Sequence, residues 1–288
     1  MGKLLVVLMG YKAIMKLNQN GEFLWDEWYG GSRVEKGSTL IEVSDGYLAI
    51  GSTTSFSYGG IDGFLIKVDR SGELIYSRNY GDEGDQELFS FVRLFNGEFV
   101  GAGYTDSNGG CDGYLVKASH NLSAIWRNQG KAYGGNGKDY FNDVIETSDG
   151  YLIAVGISNS FSNSFDMYVV KTDLDGNEIK SAVFGGAGND EAYSAIETPE
   201  GNLLIAGFTE SGGNGSSDVS ILKLDKNFQV ILEKTFGGTG VDEARSLISV
   251  DDGYAMAGKT NSFSGRADSD VYVVKTDFNL NGSNDPAN

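Results

Sequence analysis

One cysteine, one histidine and two prolines occur in the 288 residues. A lone cysteine excludes an internal disulfide framework. With a single histidine beside it, a Cys/His zinc site lacks ligands, and histidine-dependent catalysis has one candidate to draw on. Positive charge is also scarce: 22 Lys and Arg stand against 40 Asp and Glu, for a net charge of -18. Such a field repels phosphate backbones and anionic lipid heads, so neither nucleic acid nor a membrane is expected as a partner. Apolar runs are too short for membrane insertion. The opening MGKLLVVLMG has one lysine and no small-residue cleavage site, and it reads as a first strand rather than a signal peptide. No stretch carries a sustained helical period with caps.

Glycine and aromatic residues are plentiful instead, with 42 Gly and 12% Phe, Trp and Tyr. They recur in register. YGGSRVEKGS at Tyr29, YGDEGDQELF at Tyr80, YGGNGKDYF at Tyr133, FGGAGNDEAY at Phe184 and FGGTGVDEAR at Phe236 begin copies of one unit, 51 to 53 residues apart. Each copy holds four short β-branched and aromatic runs bounded by Gly, Asn, Asp or Ser. About fifty residues, four antiparallel strands and tight turns make one propeller blade. The expected fold is therefore all-β: a single β-propeller domain over residues 1–288, built of four-stranded antiparallel blades. The GGAGNDEA segment imitates a calcium-binding nonapeptide, but that motif must recur every nine residues or so, and here it occurs once per copy.

Five copies can be counted from Tyr29, and the fifth lacks its fourth strand. GEFLWDEW, ending at Trp28, aligns with the fourth-strand segment GELIYSRN and is expected to supply it by pairing with the segment Tyr272–Thr276. That closure gives five blades. The alternative is six, because YKAIMKLNQNG resembles a third strand, with Lys16 in the column of Lys67, Lys117, Lys171, Lys223 and Lys275, and residues 1–28 would then be a degenerate extra blade.

The pattern FGGxGxDEA…DGYLIAG…DxYVVKTD resembles prokaryotic repeat propellers of large secreted or surface proteins, loosely related to the WD40-like and quinoprotein-like superfolds. The resemblance spans nearly the whole chain and implies a fold, since such propellers host unrelated activities. No Trp-Asp pair closes the third strand, where KTD or KVD stands, and nothing matches a quinoprotein cofactor site. No cofactor is expected, calcium apart.

Within a unit, the connections from fourth to first strand and from second to third are long, and the other two are tight. Antiparallel order places both long connections on one face, the usual seat of binding on a rigid scaffold. That face is acidic and aromatic. Glu35, Gln86, Asp139, Asp190 and Asp242 form one column there. Carboxylates bonding their own loop amides are the plain reading, and weak calcium binding at Asp139, Asp190 and Asp242 is the functional one. Phe56, Tyr58, Phe161, Phe165 and Phe263 on the long loops are candidate ligand platforms. Asp143 is singular, because Thr39, Ser90, Ser194 and Ser246 fill its column. The Asp column that opens each third strand and the Lys column read as structural, as do His120, Cys111 and the Asp175 turn.

Two functions are consistent with these residues. The first is a non-catalytic binding or interaction module, a monomer at the cell surface or outside the cell, with the cytoplasm as alternative, whose partner is a glycan or a protein surface. The second is a carboxylate glycoside hydrolase or lyase at the central channel, with Asp143, Asp190 and Glu35 as its acids. Only Asp143 and a few arginines (Arg33, Arg93, Arg245) distinguish the copies visibly, and an enzyme needs asymmetry.

Overall fold

The β-branched runs become strands, and no helix occurs among the residues described by the computed structural model, which are 4–8, 13–107, 109–126, 130–263 and 268–282. The first sheet holds β1 (Leu4–Leu8), β2 (Ala13–Leu17) and β3 (Phe23–Trp28). The second holds β4 (Glu35–Val43), β5 (Gly46–Thr53), β6 (Asp62–Asp69) and β7 (Leu74–Tyr80). The third holds β8 (Gln86–Arg93), β9 (Phe99–Thr105), β10 (Asp112–Ala118) and β11 (Lys131–Tyr133). In the fourth are β12 (Asp139–Glu146), β13 (Leu152–Ser158), β14 (Asp166–Thr172) and β15 (Glu178–Phe184). The fifth contains β16 (Asp190–Glu197), β17 (Leu203–Thr209), β18 (Asp218–Leu224) and β19 (Val230–Phe236). The sixth contains β20 (Asp242–Val250), β21 (Gly253–Thr260) and β22 (Asp270–Thr276). Every sheet is an antiparallel meander in chain order.

The N-terminal strand departs from expectation. Phe23–Trp28 pairs with Ala13–Leu17 (Ala13 opposite Trp28), so the first residues form a sheet of their own, and β22 has only β21 as a strand neighbour. Loop closure explains the choice. A turn capped by Asn18, whose Oδ1 accepts the amides of Asn20 (2.9 Å) and Glu22 (3.0 Å), joins β2 to β3. Such a hairpin costs far less entropy than a pairing across some 250 residues. The described residues thus form six sheets, not five.

The chain divides into two compact units, Met1–Tyr133 with the first three sheets and Gly134–Asn288 with the other three. Within each, neighbouring sheets pack face to face. In the first unit Ile14 and Tyr29 meet Tyr47, Ala49, Ile66 and Val68, while Leu48, Ile50 and Leu65 meet Leu88, Phe91, Tyr114 and Val116. In the second, Ile153, Val155 and Val169 meet Ala192, Ala195 and Ile205, and Leu204, Val219 and Ile221 meet Leu247, Tyr254, Met256 and Val274. Middle strands covered on both faces read as continuous apolar runs rather than alternating ones, as YLIAVGIS and LLIAGFT do. The sixth sheet differs: Val271 and Val273 are 83% and 55% exposed, against 0% for Val219 and Ile221 at the matching positions of β18.

The tight turn after the third strand is capped in four sheets by the Asp of a KTD, KVD or KLD pattern, and in the third sheet by Ser119. Asp69, Asp173, Asp225 and Asp277 each accept the amides two and four residues on, at 2.8 to 2.9 Å. This Asp is a turn cap, which accounts for its presence without a Trp partner. The fourth turn residue must be left-handed. Gly21, Gly72 and Gly176 fill that place in three turns, but Leu122, Phe228 and Leu280 fill it in the others, at φ of 62 to 65°. Those three side chains are buried, and the burial of each, worth about 1.5–3 kcal/mol, offsets the roughly 1–2 kcal/mol of strain. Phe228→Gly should relieve the strain yet lose the packing against the Ile153 cluster. With about 3–5 kcal/mol expected for removing a buried Phe, a net loss of about 2 kcal/mol is expected in urea denaturation, and a gain in stability would contradict this balance.

Candidate functional site

The carboxylate column at the head of each first strand is buried and already occupied by the protein itself. Asp139 Oδ2 accepts the amide of Gly135 (3.0 Å) and the Ser160 hydroxyl (2.6 Å), and Ser160 Oγ in turn accepts the Gly137 amide (2.9 Å). Asp190 does the same with Gly186 (2.9 Å) and Ser211 (2.6 Å), and Asp242 with Gly238 (2.9 Å) and Ser262 (2.5 Å). Glu35 accepts the Gly31 amide and the Thr53 hydroxyl, both at 3.1 Å. Asp139, Asp190 and Asp242 thus clasp the loop before their strand to the long loop after the second strand, and Glu35 clasps its loop to Thr53 at the end of β5. Where Gln86 replaces the acid, its amide donates to Ser107 Oγ (2.6 Å), and the Ser107 hydroxyl then donates to Asp82. The charge moves four residues and the clasp survives.

These bonds decide what the proposed acids can do. Asp139, Asp190 and Asp242 stand one to a sheet, and no group of three or more His, Cys, Asp or Glu gathers to hold a metal ion among the described residues. Asp143 is engaged with backbone on both oxygens, accepting the amides of Val144 (2.9 Å) and, in the next sheet, Ala195 (3.0 Å). It joins two sheets instead of projecting as an isolated acid. His120 lies exposed in the β10–β11 connection, and Cys111 is half-buried.

Four of the five loop aromatics, Phe165 excepted, remain largely open to solvent. Phe56, Phe161 and Phe263 are about half exposed and lean on Phe64, Tyr168 and Tyr272 of their own third strands, at 5.8, 5.5 and 5.6 Å between ring centres. Phe165 is half-buried and its amide donates to Asn189 Oδ1 (3.2 Å). Tyr58 is the most open, at 73%. It borders a cleft of about 290 Å³ in the first unit, lined also by Tyr76, Ser77, Arg78, Asn79 and Tyr80. Aromatic rings interleaved with hydrogen-bonding groups at a shallow cleft suit a ligand with both apolar faces and hydroxyls.

A second set of residues was not singled out by the sequence, Arg245 apart. From the second sheet on, each first strand has a β-bulge three residues past its opening residue, and the extra residue is Ser38, Phe89, Asn142, Tyr193 or Arg245. A bulge re-aims its side chain and so frees it from the alternation of the sheet. The residue after each clasp is also variable: Lys36, Glu87, Tyr140, Glu191 and Glu243. In the first unit these positions meet as the Lys36–Glu87 pair (3.1 Å). In the second they form a chain of contacts across three sheets. Asn142 Nδ2 donates to Glu191 Oε1 (3.0 Å), Tyr193 hydrogen-bonds Glu191, and the Arg245 guanidinium lies 3.7 Å from the Tyr193 ring centre. Burial and the Glu191 charge hold the Tyr193 hydroxyl far above the usual tyrosine range. The signal in the sequence was the column in which all five copies differ.

No model of a known protein family matches the sequence, and no curated protein does. Solved structures do resemble the fold. The WD40 domain of Pan2 from Neurospora crassa matches with a TM-score of 0.56 at 15% identity, over 86% of this chain and 64% of that one. A putative 6-phosphogluconolactonase from Bacteroides fragilis matches with a TM-score of 0.58 at 11% identity, over 94% and 76%. BamB from Moraxella catarrhalis gives 0.50 at 13%, over 90% and 66%. The chain therefore spans slightly less than two thirds of the Pan2 and BamB structures. The likeness concerns the fold: antiparallel four-stranded sheets repeated as in β-propellers.

Two measurements test the loop framework. Ser211→Ala removes a donor from Asp190 and an acceptor from the Gly188 amide, and should cost about 1–3 kcal/mol in urea denaturation; no loss would mean the clasp is idle. Asp218 heads β18 with its Oδ2 accepting the amides of Asn214 (2.8 Å) and Gly215 (3.0 Å). Burial, and less so the nearby Asp242, hold its carboxyl above the ordinary value. The folded state thus favours its protonated form, a contribution present below the unfolded value of about 4 and lost as pH rises through the higher folded value. Asp218→Asn keeps an acceptor for both amides and should raise the melting temperature at neutral pH while flattening its fall between acid and neutral solution. A lower neutral melting temperature would refute this.

Proposed function

We propose that this chain is a non-catalytic binding propeller whose long-loop face engages a glycan. The observation that carries the reading is the cleft of about 290 Å³ at Tyr58, lined by Tyr76, Arg78 and the buried Tyr80, with Tyr58 exposed at its rim. Flat aromatic rings take the apolar face of a sugar, while Arg78 and Ser77 beside them supply hydrogen-bonding groups, the Asn79 amide being held by Phe56 O and Asp62 Oδ2. Phe56, Phe161 and Phe263, each half exposed on its own long loop, repeat a smaller platform in three sheets. Repetition of weak sites along a repetitive ligand raises overall affinity without any new contact.

The absence of turnover follows from how the acids are used. Asp143, Asp190 and Glu35 all accept hydrogen bonds from backbone amides and serve the framework, each on its own sheet rather than set as a facing pair. A glycosidase needs one carboxyl held protonated as an acid beside a second that is ionised. The coarser statement, a propeller that binds a partner, agrees with the likeness to the Pan2 WD40 domain.

A glycan array with the full chain, run beside a hydrolysis screen on the same sugars, tests the reading. Binding without cleavage is expected, and Tyr58→Ala should weaken it by about tenfold, the loss of one aromatic contact of roughly 1–1.5 kcal/mol, without lowering the melting temperature. Cleavage lost in Asp143→Asn would replace the binding reading with the hydrolase one. Binding to a protein but to no sugar would replace the glycan.

A further inference from the structure

In the unit Gly134–Asn288, beside the strand ends that carry the long loops, β20 and β21 hold two cations over one buried acid. Glu243 and Lys259 are directly opposite in the ladder, and Arg245 is the bulge residue two places on. Arg245 Nη2 donates to Glu243 Oε2 (2.5 Å) and Lys259 Nζ to Glu243 Oε1 (3.0 Å). The Glu243 side chain is 9% exposed, whereas Arg245 and Lys259 are 49% and 43% exposed. One carboxylate therefore anchors two cations, each bonded to a different oxygen, and both cations are close to half exposed. Stacking on Tyr193 at 3.7 Å fixes the plane of the guanidinium. The trio bears a net single positive charge in a chain of net charge -18. A structural role alone would need one cation, since a single Lys or Arg neutralises Glu243.

We infer that Arg245 and Lys259 form an anion seat for an isolated carboxylate on a sugar ring, that is, a uronic-acid residue of an acidic glycan. A fixed guanidinium fork beside an ammonium matches a carboxylate, with the planar donor supplying direction and the point charge supplying strength. The surroundings choose among carboxylates. Next to the seat, Tyr193 is bonded to Glu191, and Glu191 accepts from Asn142. A run of adjacent negative charges, as in an acidic peptide, would set its second charge against Glu191. A uronate instead carries one charge on C5, beside the ring oxygen, and its ring hydroxyls can donate to Glu191 and to Asn142 Oδ1, the Asn142 amide being already given to Glu191 Oε1 (3.0 Å) and Ala192 O (2.8 Å). The inference rests on the glycan reading above but not on the Tyr58 cleft, which belongs to the other unit.

The test is calorimetric binding to the full chain of a short galactose oligomer bearing a single galacturonic-acid residue (the acid oligomer), its methyl ester, the wholly neutral galactose oligomer and an oligo-aspartate peptide. The acid oligomer should bind, more weakly as salt is raised, and the methyl ester at least about tenfold more weakly, since it lacks the charge. Arg245→Gln and Lys259→Gln should each weaken the acid oligomer by about tenfold or more and reduce its salt dependence, with melting temperature measured alongside. Tyr58→Ala should leave this site untouched, so loss at Tyr58 alone supports the loop cleft, and loss at Arg245 and Lys259 supports the seat. No binding of the acid oligomer, equal binding of the ester, or unaltered binding in both Gln variants would overturn the inference. Peptide binding as tight as the acid oligomer's would overturn the assignment to a sugar.

Discussion

A buried carboxylate that bonds the turn behind it and the serine beside it is the interaction on which the loop face depends. Asp139, Asp190 and Asp242 lie at the head of their first strands with almost no exposure, and each ties a glycine amide to a serine hydroxyl. A buried charge is tolerated only when hydrogen bonds replace its water. The protein supplies them from two loops at once and to one oxygen, Oδ2, so bonding that oxygen and fixing the loops are one event. The Gln86 sheet shows how strict the requirement is: a neutral amide cannot accept the serine proton and donate to the same oxygen, and Asp82 takes the acceptor role.

That constraint removes most acids from consideration as reactive groups and moves attention to residues the framework does not need. The framework positions are the same in kind from sheet to sheet, whereas the bulge residues Ser38, Phe89, Asn142, Tyr193 and Arg245 share nothing but their place. A bulged side chain escapes both the core and the clasp, so its chemistry is free to vary. Glycines beside the clasp carry the complementary restriction. A Cβ at Gly185 would stand 2.4 Å from Asp166 Oδ1 and 2.5 Å from Asp190 Oδ2, so the second residue of the FGG pattern must lack one.

The opposite face is governed by charge pairing of a simpler sort. Lys67, Lys117 and Lys275 reach Asp45, Glu98 and Asp252 at 2.7 to 2.8 Å, linking each third strand to the turn before the second. The lysine hydrogen bonds hold those carboxyls below the usual range. Pairs this exposed contribute little to stability, the half-buried Lys117–Glu98 pair being the exception, and their main effect is to spend the few cations of an acidic chain on its own turns. Arg245 and Lys259, both on one acid, stand out against that economy.

Strand identity, unit length and the framework columns were legible in the sequence, because each rests on local chemistry. β-branched runs, Asx-capped turns and glycines that admit no Cβ mark themselves wherever they recur, and the plain reading of the Asp139 column as loop caps needed only its spacing from the GG pair. The tertiary structure alone decided which strand Phe23–Trp28 joins, since the fourth-strand pattern suits any third strand and entropy selected the nearest. It alone showed Asp143 bonded to Ala195 of the next sheet, although a unique acid in a column of hydroxyls looked reactive. It also brought Tyr193 and Arg245 together from separate repeats. A sequence records what each residue is able to bond; which of several able partners lies within reach is settled by the packing of one sheet on the next.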